Sequence, residues 1–536
     1  LTERDRAIDL AGIRAELGRV RGKARLALML EAREPAALVR RLPADELYFT
    51  IREIGLSDAS DLVRLASAEQ FRAFLDLACW TGGEVEPQRA LPWLRAARAG
   101  ALDEPRAAAR WRAKLHALDH EMLALVLRET LRVHDLGEDP DPHLESGSFL
   151  RTPDGRHVVE FLVGGAEYAA VRGIVDDLYA EDPFRATRLL SSLRWDLRSE
   201  LQETELRWRT GRLADLGYPP LEEALSWYAR PPSRPAPRPG TPARPPGFWL
   251  DRVGAGSLLA RAWARLAPEA RGRLELELVT AANAVLVADS VDPADLEAVR
   301  RSVETARAFV EMGLDEEAAH DEERAAEVLG ETSVKALFQR GFGRVLGLRS
   351  RAERLLPGHG EDARPGLALD PPLAEAVAAL SRRRPAYFPG LEAPRETWGT
   401  AAAGAFEPRG FTSERDVSRA ADAVALAEGL LALAGGLEIA PERAEGSRRP
   451  SLVALYLTAL ANERLGRGFS PHPIAAEDLP AAARALERIE DPRLAAAGEP
   501  GIVLADMATA RAAELAPLRE GAAPRPELVT ALVLSW

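Results

Sequence analysis

His116 and His120 stand four residues apart with Glu121 beside the second. On one helix that spacing would turn two imidazoles towards a shared metal. The surrounding residues argue against that use. Asp119 sits where a helix N-cap is expected, which puts His116 in the preceding segment and starts the next helix near His120. Glu121 also follows the second histidine, whereas the zinc-protease pattern needs it after the first. The two are expected to be surface or capping histidines.

Carboxylates gather twice. Glu138-Asp139-Pro140-Asp141-Pro142-His143-Leu144-Glu145 offers an oxygen-rich loop of the kind that holds calcium or magnesium, but its alternate prolines prevent a tight wrap around an ion. A solvated loop is expected. Asp315-Glu316-Glu317 through His320, Asp321-Glu322-Glu323 and Glu327 is the densest acidic run. Paired acids do proton chemistry when burial separates their affinities, yet nothing here signals burial, and the run is expected to be a solvated helix face.

Gly341-Phe342-Gly343 with Gly347 superficially suggests a nucleotide loop, but it follows the helical Val334-Lys335-Ala336-Leu337-Phe338 rather than a strand. Close helix packing or a break is expected. The sequence contains neither a Gly-x-x-x-x-Gly-Lys-Ser/Thr phosphate loop nor a Gly-x-Ser-x-Gly elbow. Nearby Arg340, Arg344, Arg349, Arg351 and Arg354 would form an anion-binding face or pair with carboxylates. Cys79, the single cysteine, lies in the apolar stretch 71–80 and is expected to be a small core residue. No catalytic residue, cofactor site or metal-ligand set is assigned.

The elements that must position these residues are helical almost throughout. Met122, Leu123, Val126, Leu127 and Leu131 fall on one face over 119–133, with Arg128, Glu129 and Arg132 between them. Similar stripes cover 258–286, 296–312 and 452–465. The exception is 148–163, where Phe149-Leu150-Arg151-Thr152, the turn Pro153-Asp154-Gly155 and Arg156-His157-Val158-Val159-Glu160-Phe161-Leu162 predict a β-hairpin. A hairpin alone is marginal in water, so it must dock on helices or extend an edge.

Two internal repeats are readable. An acid followed by spaced apolar anchors recurs at Asp45, Leu47, Ile51, at Glu69, Phe71, Leu75 and at Glu121, Leu123, Leu127, which suits a helix-pair unit of about 25 residues. Trp80, Pro87, Ala90-Leu91 and Trp93 also parallel Trp208, Pro220, Ala224-Leu225 and Trp227, as a duplication would. Between 230 and 247, eight prolines and four arginines without an acid predict an extended linker. The resulting organisation is a helical repeat region at 1–138, an acidic loop and hairpin at 139–165, and a second helical region at 166–230. A Pro/Arg linker at 231–247, a helical block at 248–356 and a C-terminal helical region with loops at 357–536 complete it.

Across 536 residues, 70 basic side chains face 83 acidic ones, a balance of −13, and 46% of residues are hydrophobic. That composition excludes wholesale disorder. Only Lys23, Lys114 and Lys335 are lysines, leaving 70 − 3 = 67 arginines. In a net acidic chain this skew is no signature of nucleic-acid binding, and anionic membranes are equally disfavoured. Apolar runs such as 424–440, broken by Glu428 and Gly435-Gly436, fall short of the roughly 20 residues that span a bilayer. A cytoplasmic protein without membrane insertion is expected.

Leu42-Pro43-Ala44-Asp45-Glu46-Leu47-Tyr48-Phe49-Thr50, Phe71-Arg72-Ala73-Phe74-Leu75-Asp76-Leu77 with Trp80, the Pro-Asp-Gly hairpin and Asp182-Pro183-Phe184 to Trp195 resemble the bacterial domain-of-unknown-function family numbered 6178. Ala281-Ala282-Asn283-Ala284-Val285-Leu286-Val287-Ala288-Asp289 and Gly341-Phe342 are similar to its second half. The resemblance covers nearly the whole chain and implies no catalytic residues. In Leu and acid spacing the first 135 residues also resemble the superhelical cytoplasmic domain of magnesium transporters and the middle domain of the flagellar motor switch protein. That resemblance implies a magnesium-responsive regulatory module as one alternative.

The sequence thus predicts an all-α protein: a superhelical repeat region with one β-hairpin, then a C-terminal helical region. Its expected role is a non-catalytic scaffold or adaptor that binds a protein partner through a helical groove, with no nucleic acid and no cofactor. An enzyme or small-ligand sensor is the opposing reading. Its site would be assembled from distant helices and would place several of His116, His120, Glu121, Trp80 and Trp208 around one pocket.

Overall fold

A computed structural model describes residues 17, 20–229, 257–356, 368–439, 450–520 and 529–535. The proposed linker at 231–247 and the Pro357-Gly358-His359-Gly360 stop lie outside the described residues. The described residues divide into two compact units, one of residues 17–229, 257–307 and 317–336, the other of 308–316 and 337–535. Most of both is helix, as expected.

The first unit opens with eight helices: α1 (Gly22–Glu31), α2 (Pro35–Arg41), α3 (Ala44–Ile54), α4 (Ser60–Leu65), α5 (Ala68–Ala78), α6 (Pro87–Arg98), α7 (Pro105–Ala117) and α8 (His120–Arg128). Local chemistry sets their ends. Proline occupies the first helical position of α2, α6 and α7, where its missing N–H costs nothing. Ser67 and Gln70 form a reciprocal capping box at the start of α5, and Gly55, at φ +104°, ends α3 where a side chain would be strained.

Each helix packs on the next but one. α1, α3, α5 and α7 form one row, and α2, α4, α6 and α8 a second. Between the rows Tyr48 stacks on Trp93 at 5.6 Å and Phe74 meets the same indole at 5.4 Å. The repeat anchors Leu47, Ile51, Phe71, Leu75, Leu123 and Leu127 are all buried. The copies on α3 and α5 are adjacent in the first row, while the copy on α8 stands in the second.

A short ribbon, β1 (Trp80–Thr81) with β2 (Glu84–Val85), turns on Gly82 and Gly83, both at positive φ. After α8 come β3 (Leu131–Asp135), β4 (Phe149–Arg151) and β5 (His157–Phe161), in the antiparallel order β3-β5-β4. The hairpin is therefore where the sequence placed it. The preceding helical stripe is shorter than expected, because α8 ends at Arg128 and 131–135 is strand. Leu131 and Val133 are buried while Arg132 is exposed, the period-2 pattern of an edge strand. That third strand supplies what the hairpin lacked, and β5 is buried along its whole length.

α9 (Gly165–Glu181), α10 (Pro183–Trp195) and α11 (Arg198–Asp215) follow. The apparent duplication is only partly reproduced: Trp80, Trp93 and Trp227 are buried but Trp208 is exposed. Where Pro87 opens a 12-residue helix, Pro220 precedes the five-residue turn Leu221–Leu225. One continuous apolar core runs from Leu17 to Val303.

The second unit has its own core around helix Leu452–Arg464, on which every residue from Leu452 to Asn462 is buried. Helices Glu414–Gly436 and Gly498–Ala513 pack together, and Gly498–Ala513 also packs on Leu452–Arg464. Ile474–Ala475 and Leu534–Ser535 form a two-residue parallel pair. Gly341 and Gly313 belong to a close helix crossing. A Cβ added to Gly341 would lie 2.1 Å from the Phe309 carbonyl oxygen, and one on Gly313 would lie 1.9 Å from that of Leu337. Helix Val334–Leu355 runs unbroken through its glycines.

Candidate functional site

α10 and α11 both pack on α8, whose residues Met122 to Leu127 are all buried. α11 gains little from apolar burial, since Leu201 and Glu205 are the only buried positions of its 18 residues. Polar ties hold it instead. Arg212 donates to both carboxylate oxygens of Asp76 at 2.8 and 2.7 Å, to Asp119 at 2.7 Å and to Glu205 at 2.5 Å. One turn back, Arg209 donates to the Asp76 carbonyl at 2.8 Å and stacks 4.9 Å from the Trp80 ring centroid. Gln202 donates to the Gly83 carbonyl at 3.0 Å.

The charges of this cluster determine its protonation. Asp76, Asp119 and Glu205 carry three potential negatives against the two guanidinium groups. The Asp76 and Glu205 side chains are essentially inaccessible to water. Burial pushes Glu205 up to about 7 against the pull of Arg212, with Asp119 and Asp76 adding to the rise. A proton on Glu205 leaves two carboxylates for two guanidiniums. Burial also raises Asp76, opposed by its bonds to Arg212, and its carboxylates hold Arg212 fully charged against the desolvation that acts on it.

On this anchored frame stand large apolar side chains turned to solvent. Trp195 is 66% exposed and Leu197 60%, on either side of Asp196 at the corner between α10 and α11. Trp208 is 58% exposed, ten residues into α11 and so roughly 15 Å along its axis. Three residues on, Gly211 has nothing within 4 Å of where a Cβ would be. The corner is fixed by Arg128 donating to the Asp196 carbonyl at 2.8 Å and by Arg198 pairing with Glu129 at 2.9 Å.

The residues singled out in the sequence are dispersed. His116 is on α7 and His120 opens α8, with Asp119 as the N-cap between them, so they share no helix. Trp80 is buried under Arg209, whereas Trp208 faces water. In the acidic loop Glu138 pairs with Arg194 at 2.6 Å and Glu145 with Arg132 at 3.1 Å. Glu322 of the acidic run pairs with Arg261 and Arg265. Arg344, Arg349 and Arg351 pair with Glu414, Glu353 and Glu428. Among the described residues no group of three or more His, Cys, Asp or Glu converges as a metal set. Cys79 is fully buried, and burial drives its thiol far above the ordinary range.

Asp76, Glu205 and Arg212 escaped sequence reasoning because Asp76 stands 136 positions before Arg212, although Glu205 is only seven before it. One signal was available: Leu201, Glu205, Arg209 and Arg212 recur at four- and three-residue spacing, so charges occupy a stripe where a packed helix normally carries apolar residues.

The fold and this surface define a mostly helical protein with two cored units, a small antiparallel sheet and an exposed aromatic corner held from below by ions. Residues 2–518 match the family described as a family of unknown function, DUF6178, and the chain belongs to it. No curated protein and no solved structure matches the chain.

Proposed function

We propose that this protein is a non-catalytic scaffold or adaptor whose α10–α11 face binds a protein partner. The observation that carries the reading is the exposure of Trp195, Leu197 and Trp208 on a helix pair anchored by buried ion pairs. Exposed indoles leave apolar area in water, and tryptophan seated in a partner's pocket supplies a large share of interface energy. The two-row packing of α1–α8 supports the same reading, because stacked helix pairs present long side-chain rows to a second protein.

The test is a comparison of the intact protein with Trp195→Ala/Trp208→Ala, captured from native cells and read by quantitative mass spectrometry. A stoichiometric partner lost from the double variant, with helical content and melting temperature unchanged, is the expected result. Equal recovery of every protein by both forms would sink the proposal. Loss of self-association in sedimentation, with no other protein lost, would make the partner a second copy of the chain and overturn the adaptor reading.

A further inference from the structure

A separate feature of the first unit lies where α2, α5 and α7 meet. Arg40, Ala66, Ser67, Ala68, Ala109, Arg110 and Ala113 line an open surface pocket of about 350 Å³, with Arg40, Ala109 and Ala113 exposed to solvent. Four of the seven are alanines, whose small side chains leave the space open.

The charges around it are unbalanced. Among the described residues no carboxylate pairs with Arg40, Arg110 or Lys114. The Arg110 Nε is buried without a partner. Lys114, one turn beyond Arg110 on α7, is 1% exposed and donates to the Arg64 carbonyl at 3.0 Å. Burial pushes its ammonium down to about 8, and Arg110 and Arg40 push the same way. A buried cation with only cations as charged neighbours is costly, and a bound anion removes that cost.

The pocket also touches the start of α5. The capping box uses the N–H groups of Ser67 and Gln70, and the Glu69 carboxylate, at the rim of the pocket, takes its own N–H and the Ser67 hydroxyl, with Arg72 beyond. Ala68, in the first turn of α5, lines the pocket where the helix dipole favours negative charge.

We infer that the pocket between α2, α5 and α7 binds a small phosphate ester, with Arg40 and Arg110 grasping the phosphoryl oxygens, the α5 N-terminus facing them and Lys114 supplying charge from beneath. The bidentate fork of arginine suits a phosphoryl group, and the alanine walls leave room for its organic part. This site is independent of the α10–α11 face.

Binding to the full-length protein is measured by calorimetry and by melting temperature in inorganic phosphate, sulfate or glycerol phosphate, each against chloride at matched ionic strength. Wild type is expected to bind inorganic phosphate and glycerol phosphate, the ester more tightly. Arg40→Ala/Arg110→Ala should weaken both about tenfold or more while keeping native circular dichroism. Lys114→Met is expected to raise the melting temperature in chloride and to reduce the phosphate-induced rise, which a purely structural lysine would not do. Absence of any difference from chloride, or an undiminished response in the double variant, would overturn the inference. Inorganic phosphate and sulfate binding better than the ester would overturn the assignment to an ester.

Discussion

Asp45 shows how much one buried group can shift stability. It is 1% exposed at the start of α3, one oxygen accepts the Glu46 N–H at 3.0 Å and the other has no partner. Burial raises it to about 7, partly offset by backbone N–H bonds. The folded carboxyl therefore holds a proton that the unfolded one releases near pH 4. Its contribution is complete below that pH and disappears as the pH rises towards 7, a loss of roughly 4 kcal/mol at about 1.4 kcal/mol per unit. Asp45→Asn keeps the acceptor oxygen and removes the titration. Denaturant melts between pH 4 and 8 should show the variant gaining on wild type as pH rises, and parallel curves would refute the assignment. Arg25 and Glu46 form the neighbouring buried pair at 2.5 Å. Glu46→Ala strands a buried guanidinium and should cost about 3 to 5 kcal/mol in the same melts.

Among the elements, the crossing of Leu296–Ala318 with Val334–Leu355 gives the sharpest expectation. Alanine raises helix propensity over glycine by about 1 kcal/mol, but at Gly313 or Gly341 its Cβ would meet a backbone carbonyl near 2 Å. The clash dominates, and Gly313→Ala or Gly341→Ala should destabilise by about 3 kcal/mol or more in denaturant titration. Gly343→Ala, with nothing within 4 Å, is the control and should be neutral or slightly stabilising. This crossing was half legible: the sequence singled out Gly341 and excluded a nucleotide loop, but pointed neither to Gly313 nor to the opposing carbonyls of Phe309 and Leu337. The hairpin was legible because Pro153-Asp154-Gly155 is a local signal. β3 was not, because Leu131 fits both the helical stripe and a strand, and only pairing with β5 decides between them. The ion cluster under α11 was least legible, since Asp76 and Asp119 reach Glu205 and Arg212 only through tertiary packing.

For the whole molecule, opposing titrations set a stability optimum. Asp370 in the second unit, raised by burial to about 6, behaves like Asp45 and loses its contribution as the pH rises. Asp416, Asp491 and Glu428 lie below their ordinary values. Desolvation opposes that lowering for Asp416 and Asp491, while bonds to arginine hold all three down. Their contributions are present above about pH 4 and vanish as acid protonates them. Thermal melts across pH are expected to peak on the acid side of neutrality, near pH 5, and a maximum at pH 8 would contradict the burial of Asp45 and Asp370. Helical dominance was readable from periodicity alone, whereas which face carries Trp195 and Trp208 was not, because exposure depends on what lies opposite. The sealed position of Cys79 has a practical corollary: the chain's sole thiol is silent towards maleimide while folded. A Trp208→Cys variant would then accept one fluorophore at a chosen spot with the native sulfur left in place, turning the α10–α11 face into an optical reporter.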